Sequence, residues 1–361
     1  MGDLHLPRRG TLAVGVVVCC ILASLLTGCG KPKTGEQAGA DAAAGKQEVV
    51  IYTALDREFS EPILKDFEAQ TGIAVRVKYD TESTKSVGLA NALRNERDRP
   101  RCDVFWNNEI VNTMRLANEG LLDSYESEQA AAYPAVFRDP AGHWTGFAAR
   151  ARVLIVNTDL VPEDQRPTSI NDLADPRWKG QVGIAKPLFG TTATHAACLF
   201  ASMGEEKAAA WFKSLKDNDI RIEAGNKQVA IGVAEGHLAF GLTDTDDAIV
   251  MVESGKPVVI VYPDAGPEQM GVLFIPNTLS AVKGGPNPEA ARKLIDYLLA
   301  GEVEARLAAG PSAQIPVNPA VQAPVRVKTP TEVKPMPVDF AAAATAFDDV
   351  RSHLEEHFLV D

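Results

Sequence analysis

Basic clusters, long apolar stretches beyond residue 26 and cysteines are what this 361-residue chain has least of. Lys and Arg number 36 against 48 Asp and Glu, for a formal charge of −12. Without grouped basic residues the chain is a poor partner for nucleic acid, whose phosphates reward clustered Lys and Arg. No apolar stretch after Leu26 approaches the ~20 residues of a membrane span, so the remainder is expected to be soluble. Neither G-x-S-x-G nor H-E-x-x-H occurs, which argues against an enzyme. His143, His195 and His237 lack the spacing of metal ligands and are expected to be structural. Of the five cysteines, Cys19 and Cys20 fall inside the first apolar run. Cys102 and Cys198 sit in apolar settings and are expected to be buried, unpaired thiols.

What is present begins at the N-terminus. Arg8 and Arg9 precede an apolar run from Leu12 to Leu26, the order of a secretory signal. Leu26-Thr27-Gly28-Cys29 then resembles the bacterial lipobox, which implies cleavage after Gly28 and lipid on Cys29. Loss of residues 1–28 removes Arg8, Arg9 and Asp3 and leaves a charge of about −13. Residues 30–47 are mostly Gly, Ala, Lys, Gln and Glu with little to bury, so 29–47 reads as a flexible tether. The expected location is the periplasmic side of a membrane or the outer face of a cell membrane.

From Val49 onward, strands and helices alternate. Val49-Val50-Ile51-Tyr52 reads as a buried strand, and Phe59, Ile63, Leu64 and Phe67 recur at helical spacing until Thr71-Gly72. Ile73 to Tyr79, 83–97, 103–106 and 109–119 continue the rhythm. A second series starts at Arg152–Val156 and runs through strand 181–185, helices 191–203, 205–216 and 227–235, strand 238–242, helix 246–254 and strand 258–262. A strand over 272–276 and helices near 288–300 and 302–309 follow. The proline-rich stretch 311–338 is expected to run over the surface, and Phe340, Phe347, Val350, Leu354 and Phe358 mark a closing amphipathic helix. The pattern is α/β, with mixed, mostly parallel sheets flanked by helices, and about 310 residues suffice for two lobes. Such folds hold ligands at strand C-termini and helix N-termini.

Three places carry candidate chemistry. Gly190-Thr191-Thr192 opens a helix, where free N–H groups and two hydroxyls suit an anion or simply cap the helix. Asn226 opens another. Thr243-Asp244-Thr245-Asp246-Asp247 puts three carboxylates within four residues. They repel one another unless a cation, a hydroxyl-rich ligand or solvent accepts them, or they serve as a cap and first turn favoured by the helix dipole. Trp106, at a strand end, is either a stacking platform or core.

Ile51-Tyr52-Thr53, Phe67-Glu68-Ala69-Gln70-Thr71-Gly72-Ile73, Asp103-Val104-Phe105-Trp106, Glu119-Gly120-Leu121-Leu122, the run Asp172 to Gly180, and Gln314-Ile315-Pro316-Val317-Asn318-Pro319 together resemble the extracellular solute-binding proteins of ABC importers. The group it resembles is the one containing the periplasmic ferric-ion binding proteins and their relatives for phosphorylated or phosphonate solutes. The resemblance covers most of residues 48–358. It implies a two-lobed periplasmic-binding-protein fold of type II with a ligand cleft between the lobes. Lobe 1 would comprise 48–148 and 272–338, and lobe 2 would comprise 149–271 and 339–361 with the C-terminal helix. Crossings would lie near 148–152 and 268–274.

The resemblance also implies roles for individual residues. Gly190, Thr191, Thr192 and Asn226 match anion-contacting positions. Asp56 and Asn108, with Glu109 adjacent, match metal-ligand positions, and Asp246-Asp247 stand where ferric-binding relatives carry paired tyrosines. Together with Asp244, these are hard oxygen donors that suit ferric iron or another hard metal ion, accompanied by phosphate or carbonate. The same carboxylates would also bind the hydroxyls of an organic phosphate, phosphonate or sugar phosphate without metal. No catalytic cofactor is implied. The implied partners are a membrane permease and its ATPase, with the protein itself a monomer. A tethered hydrolase or a sensor subunit are the remaining readings.

Overall fold

The computed structural model describes residues 47–81 and 84–360, so the signal, the lipobox with Cys29 and nearly all of the tether lie outside the described residues. The chain opens with β1 (Glu48–Thr53), α1 (Arg57–Thr71), β2 (Ala74–Tyr79), α2 (Val87–Asn95), β3 (Val104–Asn107), α3 (Val111–Asn118) and the two-residue β4 (Leu122–Asp123). Phe59, Ile63, Leu64 and Phe67 form the buried stripe of α1, and Gly72 ends that helix in the left-handed region, at φ 72°. After β5 (Thr145–Asn157) come β6 (Val182–Ala185), α4 (Gly190–Met203), α5 (Glu205–Asp217), β7 (Arg221–Glu223), α6 (Asn226–Ala234), β8 (Phe240–Asp244), α7 (Thr245–Glu253) and β9 (Val258–Val261). Then follow β10 (Phe274–Val282), α8 (Pro288–Leu298), α9 (Gly301–Ala309) and α10 (Phe340–His353).

The strand order is β2-β1-β3-β10-β5-β8-β6-β7, with β4 on β10 and β9 on β5. Each half is parallel at its outer side, where β1 pairs with β2 and β3, and β6 with β7 and β8. Every pairing made by β5 and β10 is antiparallel. The sheets are therefore less parallel than the alternating pattern suggests, because two strands run back through the centre instead of ending at an edge.

The 13-residue β5 is the shared element. Its first half, to Ala151, pairs with β10, and from Arg152 onward it pairs with β8 and then β9. The stretch Thr145 to Ala151 was not expected as strand, since its small residues show no apolar–polar alternation. At the crossing, Ala148 adopts φ 43°, and the β5–β10 register slips between Pro276 and Asn277. The amide of Ala148 donates to the Glu304 carboxylate at 2.6 Å, and its carbonyl accepts from Asn277 Nδ2.

The stretch 311–338 runs over the surface for most of its length, as expected, and turns inward mainly near its two ends. Ile315 bridges to Ala149 with both backbone hydrogen bonds, and Met336 donates to Val272. Ala313, Ile315 and Met336 are buried. Backbone groups at the β5–β10 crossing need partners away from water, and this segment supplies them.

The apolar core falls into layers. Leu64, Phe67 and Ile51 pack with Leu294 and Leu298 beneath β1 and β3. Leu154, Ile184, Cys198, Phe212 and Phe347 form a second layer, which also takes in Val111 of α3. Helix α10 thus lies against both α3 and α4, and Arg115 stacks over Phe347 at 4.6 Å. Its first turn is capped by Asp339, which accepts from the amides of Ala341 and Ala342. Trp106 belongs to the core, its ring 5.5 Å from that of Phe147. Cys102 and Cys198 are free, buried thiols, and burial raises both pKa values.

Candidate functional site

Strand alternation decides where the site is built. Arg150 and Arg152 are two residues apart on β5, so both point to the same face. Both are buried, within a strand whose other residues there are alanine, valine and leucine. Two buried guanidinium groups require acceptors, and the β8–α7 junction and the start of α4 supply them.

Arg152 is the centre of the polar network. Its Nη1 donates to Asp244 Oδ1 at 2.8 Å, to Asn226 Oδ1 at 3.0 Å and to Thr191 Oγ1 at 3.3 Å. Its Nη2 reaches Thr192 Oγ1 at 3.3 Å, and its Nε donates to His195 Nδ1 at 3.4 Å. Asp244 Oδ2 accepts from Thr191 Oγ1 at 2.5 Å and from Asn226 Nδ2 at 3.1 Å. Burial pushes the Asp244 carboxyl upward, but the charges of Arg152 and Arg150 and the Thr191 hydroxyl hold it below the usual carboxylate value. Burial, with the charge of Arg152, holds His195 down at about 3, so the imidazole is neutral.

The four residues expected to contact an anion thus sit together. The hydroxyls of Thr191 and Thr192 and the amide of Asn226 are turned onto Arg152 and Asp244, so an internal carboxylate already lies among them. Gly190, at φ 56°, donates its N–H to the carbonyl of Lys85 at 2.9 Å, across from another part of the chain. That left-handed φ suits glycine.

Asp246 and Asp247 occupy the first turn of α7, next to Asp244. The three aspartates can bring one oxygen each within 4.8 Å of one another. Arg150 Nη1 lies 3.7 Å from Asp246 Oδ2, and Arg150 Nη2 donates to the carbonyl of Asn108. Burial raises the Asp246 carboxyl to about 7, because Arg150 offsets the desolvation and the charge of Asp244 only in part. Asp56, in the turn between β1 and α1, accepts a hydrogen bond from Lys85 Nζ. Asp56 and Lys85 also act electrostatically on Asp246, which brings the β1 turn to the same site.

Asn108 and Glu109, adjacent in sequence, differ in role. Asn108 is buried, and its Oδ1 has no hydrogen-bond partner among the described residues. Glu109 accepts from Asn107 Nδ2 at 2.7 Å, from the Asn112 amide at 3.1 Å and from Thr194 Oγ1 at 2.7 Å. Its oxygens are consumed in capping α3 and tying it to α4.

Lys85, Arg150 and Arg152 were missed as site residues. Two arginines at i and i+2 inside an apolar strand were the available signal, because buried charge needs buried counter-charge. Lys85 left no such signal: nothing local distinguishes it from a solvated surface lysine. A groove of about 510 Å³ lined by Phe212, His353, His357 and Phe358 shares none of these residues.

Residues 109–345 match the family model described as bacterial extracellular solute-binding protein. The chain belongs to that family. This solute-binding protein is 29% identical over 317 residues to Iron uptake protein A1 of Synechocystis, covering 84% of this chain and 85% of that one. The crystal structure of iron-bound HitA from Pseudomonas aeruginosa superposes with a TM-score of 0.77 at 25% identity, over 85% of this chain and 98% of that one. AfuA from Actinobacillus pleuropneumoniae, solved with fructose-6-phosphate, superposes at 0.79 over 88% and 100%, and at 23% identity it shows the fold. The solute-binding protein accordingly has the two-lobed periplasmic binding fold, with β5 passing from one sheet to the other.

Proposed function

We propose that this solute-binding protein is the receptor of an ABC importer that captures a hard metal cation, ferric iron first, and hands it unchanged to a membrane permease. The single observation that carries the reading is the Asp244, Asp246 and Asp247 cluster, whose oxygens converge within 4.8 Å. Asp244 is committed to Arg152 and Thr191, so Asp246 and Asp247 are the ligands and Asp244 orients them. Asp56 and Asn108 Oδ1, which has no partner among the described residues, complete an all-oxygen set, as a hard cation requires. Carboxylates in place of tyrosines still give anionic oxygen donors. Similarity to Iron uptake protein A1 and to iron-bound HitA supports iron as the first candidate.

Asp56 and Asn108 come from the lobe containing β1 and β3, and Asp246 and Asp247 from the lobe containing β8. A cargo touching both favours the closed form by its differential contacts. The crossings at 148–152 and 268–274 would be the hinge, and lipid on Cys29 would keep the receptor near its permease.

A second reading, capture of an organic phosphate without metal, draws on a specific feature. Arg150 is buried and its Nε has no partner among the described residues. Titration calorimetry separates the two. Ferric iron is expected to bind the wild type and to lose at least a hundredfold in affinity in Asp246→Ala/Asp247→Ala. Unchanged affinity in the double variant contradicts the assignment, and binding of a sugar phosphate by metal-stripped protein supports the second reading.

A further inference from the structure

We propose that Lys85 is a tethered competing cation: its ammonium occupies carboxylate oxygens that the cargo must take, and this lowers the affinity for every cation by a common factor. The inference rests on the metal-binding reading of the same site. Lys85 Nζ donates to Asp56 Oδ1, and the two side chains are only 18% and 19% exposed. The charge of the same ammonium also acts on the Asp246 carboxylate. Its position is fixed by the backbone, because the Lys85 carbonyl accepts from the amides of Gly190 and Val87, both at 2.9 Å. The next residue, Ser86, is held at φ 63° and fully buried, a conformation that a non-glycine residue adopts only when its surroundings impose it.

An ammonium is a compact point charge, and here it is presented to the carboxylates at the high local concentration that a short tether provides. A metal ion entering the cleft must displace it. Weakly held, abundant divalent ions then fall below the affinity needed to occupy the site, while an ion with intrinsically strong oxygen affinity stays above it. The displaced ammonium remains nearby and can return as cargo leaves. Lys227 supplies a contrast: it pairs with Glu58 at 2.9 Å on the rim, and the charges of Asp56 and Asp247 also act on it.

The test compares wild type, Lys85→Met, Lys85→Arg and Lys227→Gln by calorimetric titration with Mn2+, Ca2+ and ferric iron supplied as its citrate. Lys85→Met is expected to bind each ion at least tenfold more tightly, by a similar factor for all, while Lys85→Arg stays near wild type and Lys227→Gln gains less than threefold. Binding by Lys85→Met alone also supports the proposal. Wild-type binding with unchanged or weakened binding in Lys85→Met overturns the proposal and leaves the metal reading standing. An equal gain in Lys227→Gln overturns it too, since the effect is then a diffuse field. If neither wild type nor Lys85→Met binds any ion, the metal reading fails and the proposal falls with it.

Discussion

Replacing Arg152 with Met removes the group on which the polar network converges. Asp244, 5% exposed, then loses its 2.8 Å ion pair and keeps only the Thr191 and Asn226 donors. Breaking a buried pair by deleting one partner costs about 3–5 kcal/mol, since a desolvated charge is left uncompensated. With an unfolding entropy of about 2.1 cal/mol/K per residue, roughly 310 folded residues give ~0.65 kcal/mol/K, so Tm should fall by about 5–8 °C. The loss has a pH signature. In the wild type the Asp244 carboxyl lies below its ordinary value, so its stabilisation is present at neutral pH and lost as pH falls through that lowered value. Without Arg152, burial raises the same carboxyl, and the variant is relieved by taking up a proton as pH falls. The deficit relative to wild type should therefore be larger at pH 8 than at pH 5. Adding Asp244→Leu should recover part of it, because the pair is then gone as a whole. Calorimetric melting of all three proteins at both pH values is the assay. A deficit below about 1 kcal/mol at pH 7, or one equal at pH 5 and pH 8, would refute the reasoning.

Two further outcomes follow from single groups. Asp246, raised to about 7, is protonated below neutrality, so a cation cargo of the proposed kind would have to displace its proton there. Cation affinity should fall about tenfold per pH unit below 7, while the cation-free protein gains stability as pH drops from 7 towards 4; an affinity flat from pH 5 to 8 would contradict this. Cys102 and Cys198 are buried with raised pKa values, and the thiolate is the reactive form. A thiol reagent at pH 8 should leave both unmodified in the native protein and label both in denaturant; labelling in the native state would show that the layers around them open readily.

How much was legible in the sequence depends on which residues carry their own periodicity. The stripe of α1 and the strand–helix order through β6 to β9 could be read because burial of one face leaves a pattern. The start of β5 could not, because Gly146, Ala148 and Ala149 have side chains too small to mark a face. In segment 311–338 the prolines rightly suggest a solvated path for the middle, while Ile315 and Met336 are buried by main-chain pairing that no local pattern records. At the site, the aspartates and the α4 threonines stood out as clusters. Their partition did not, since only tertiary contacts commit Asp244 to Arg152 and Glu109 to Thr194 and leave Asn108 Oδ1 without a partner among the described residues.

In the proposed reading, Asp56, Asn108, Asp246 and Asp247 hold a hard metal ion as cargo. The measurement that bears on it most directly is elemental analysis of the protein purified without added metal, paired with native mass spectrometry of the same sample. One equivalent of iron or another hard metal ion, lost in Asp246→Ala/Asp247→Ala, is the predicted result. A metal-free protein carrying the retained mass of an organic phosphate would contradict the claim.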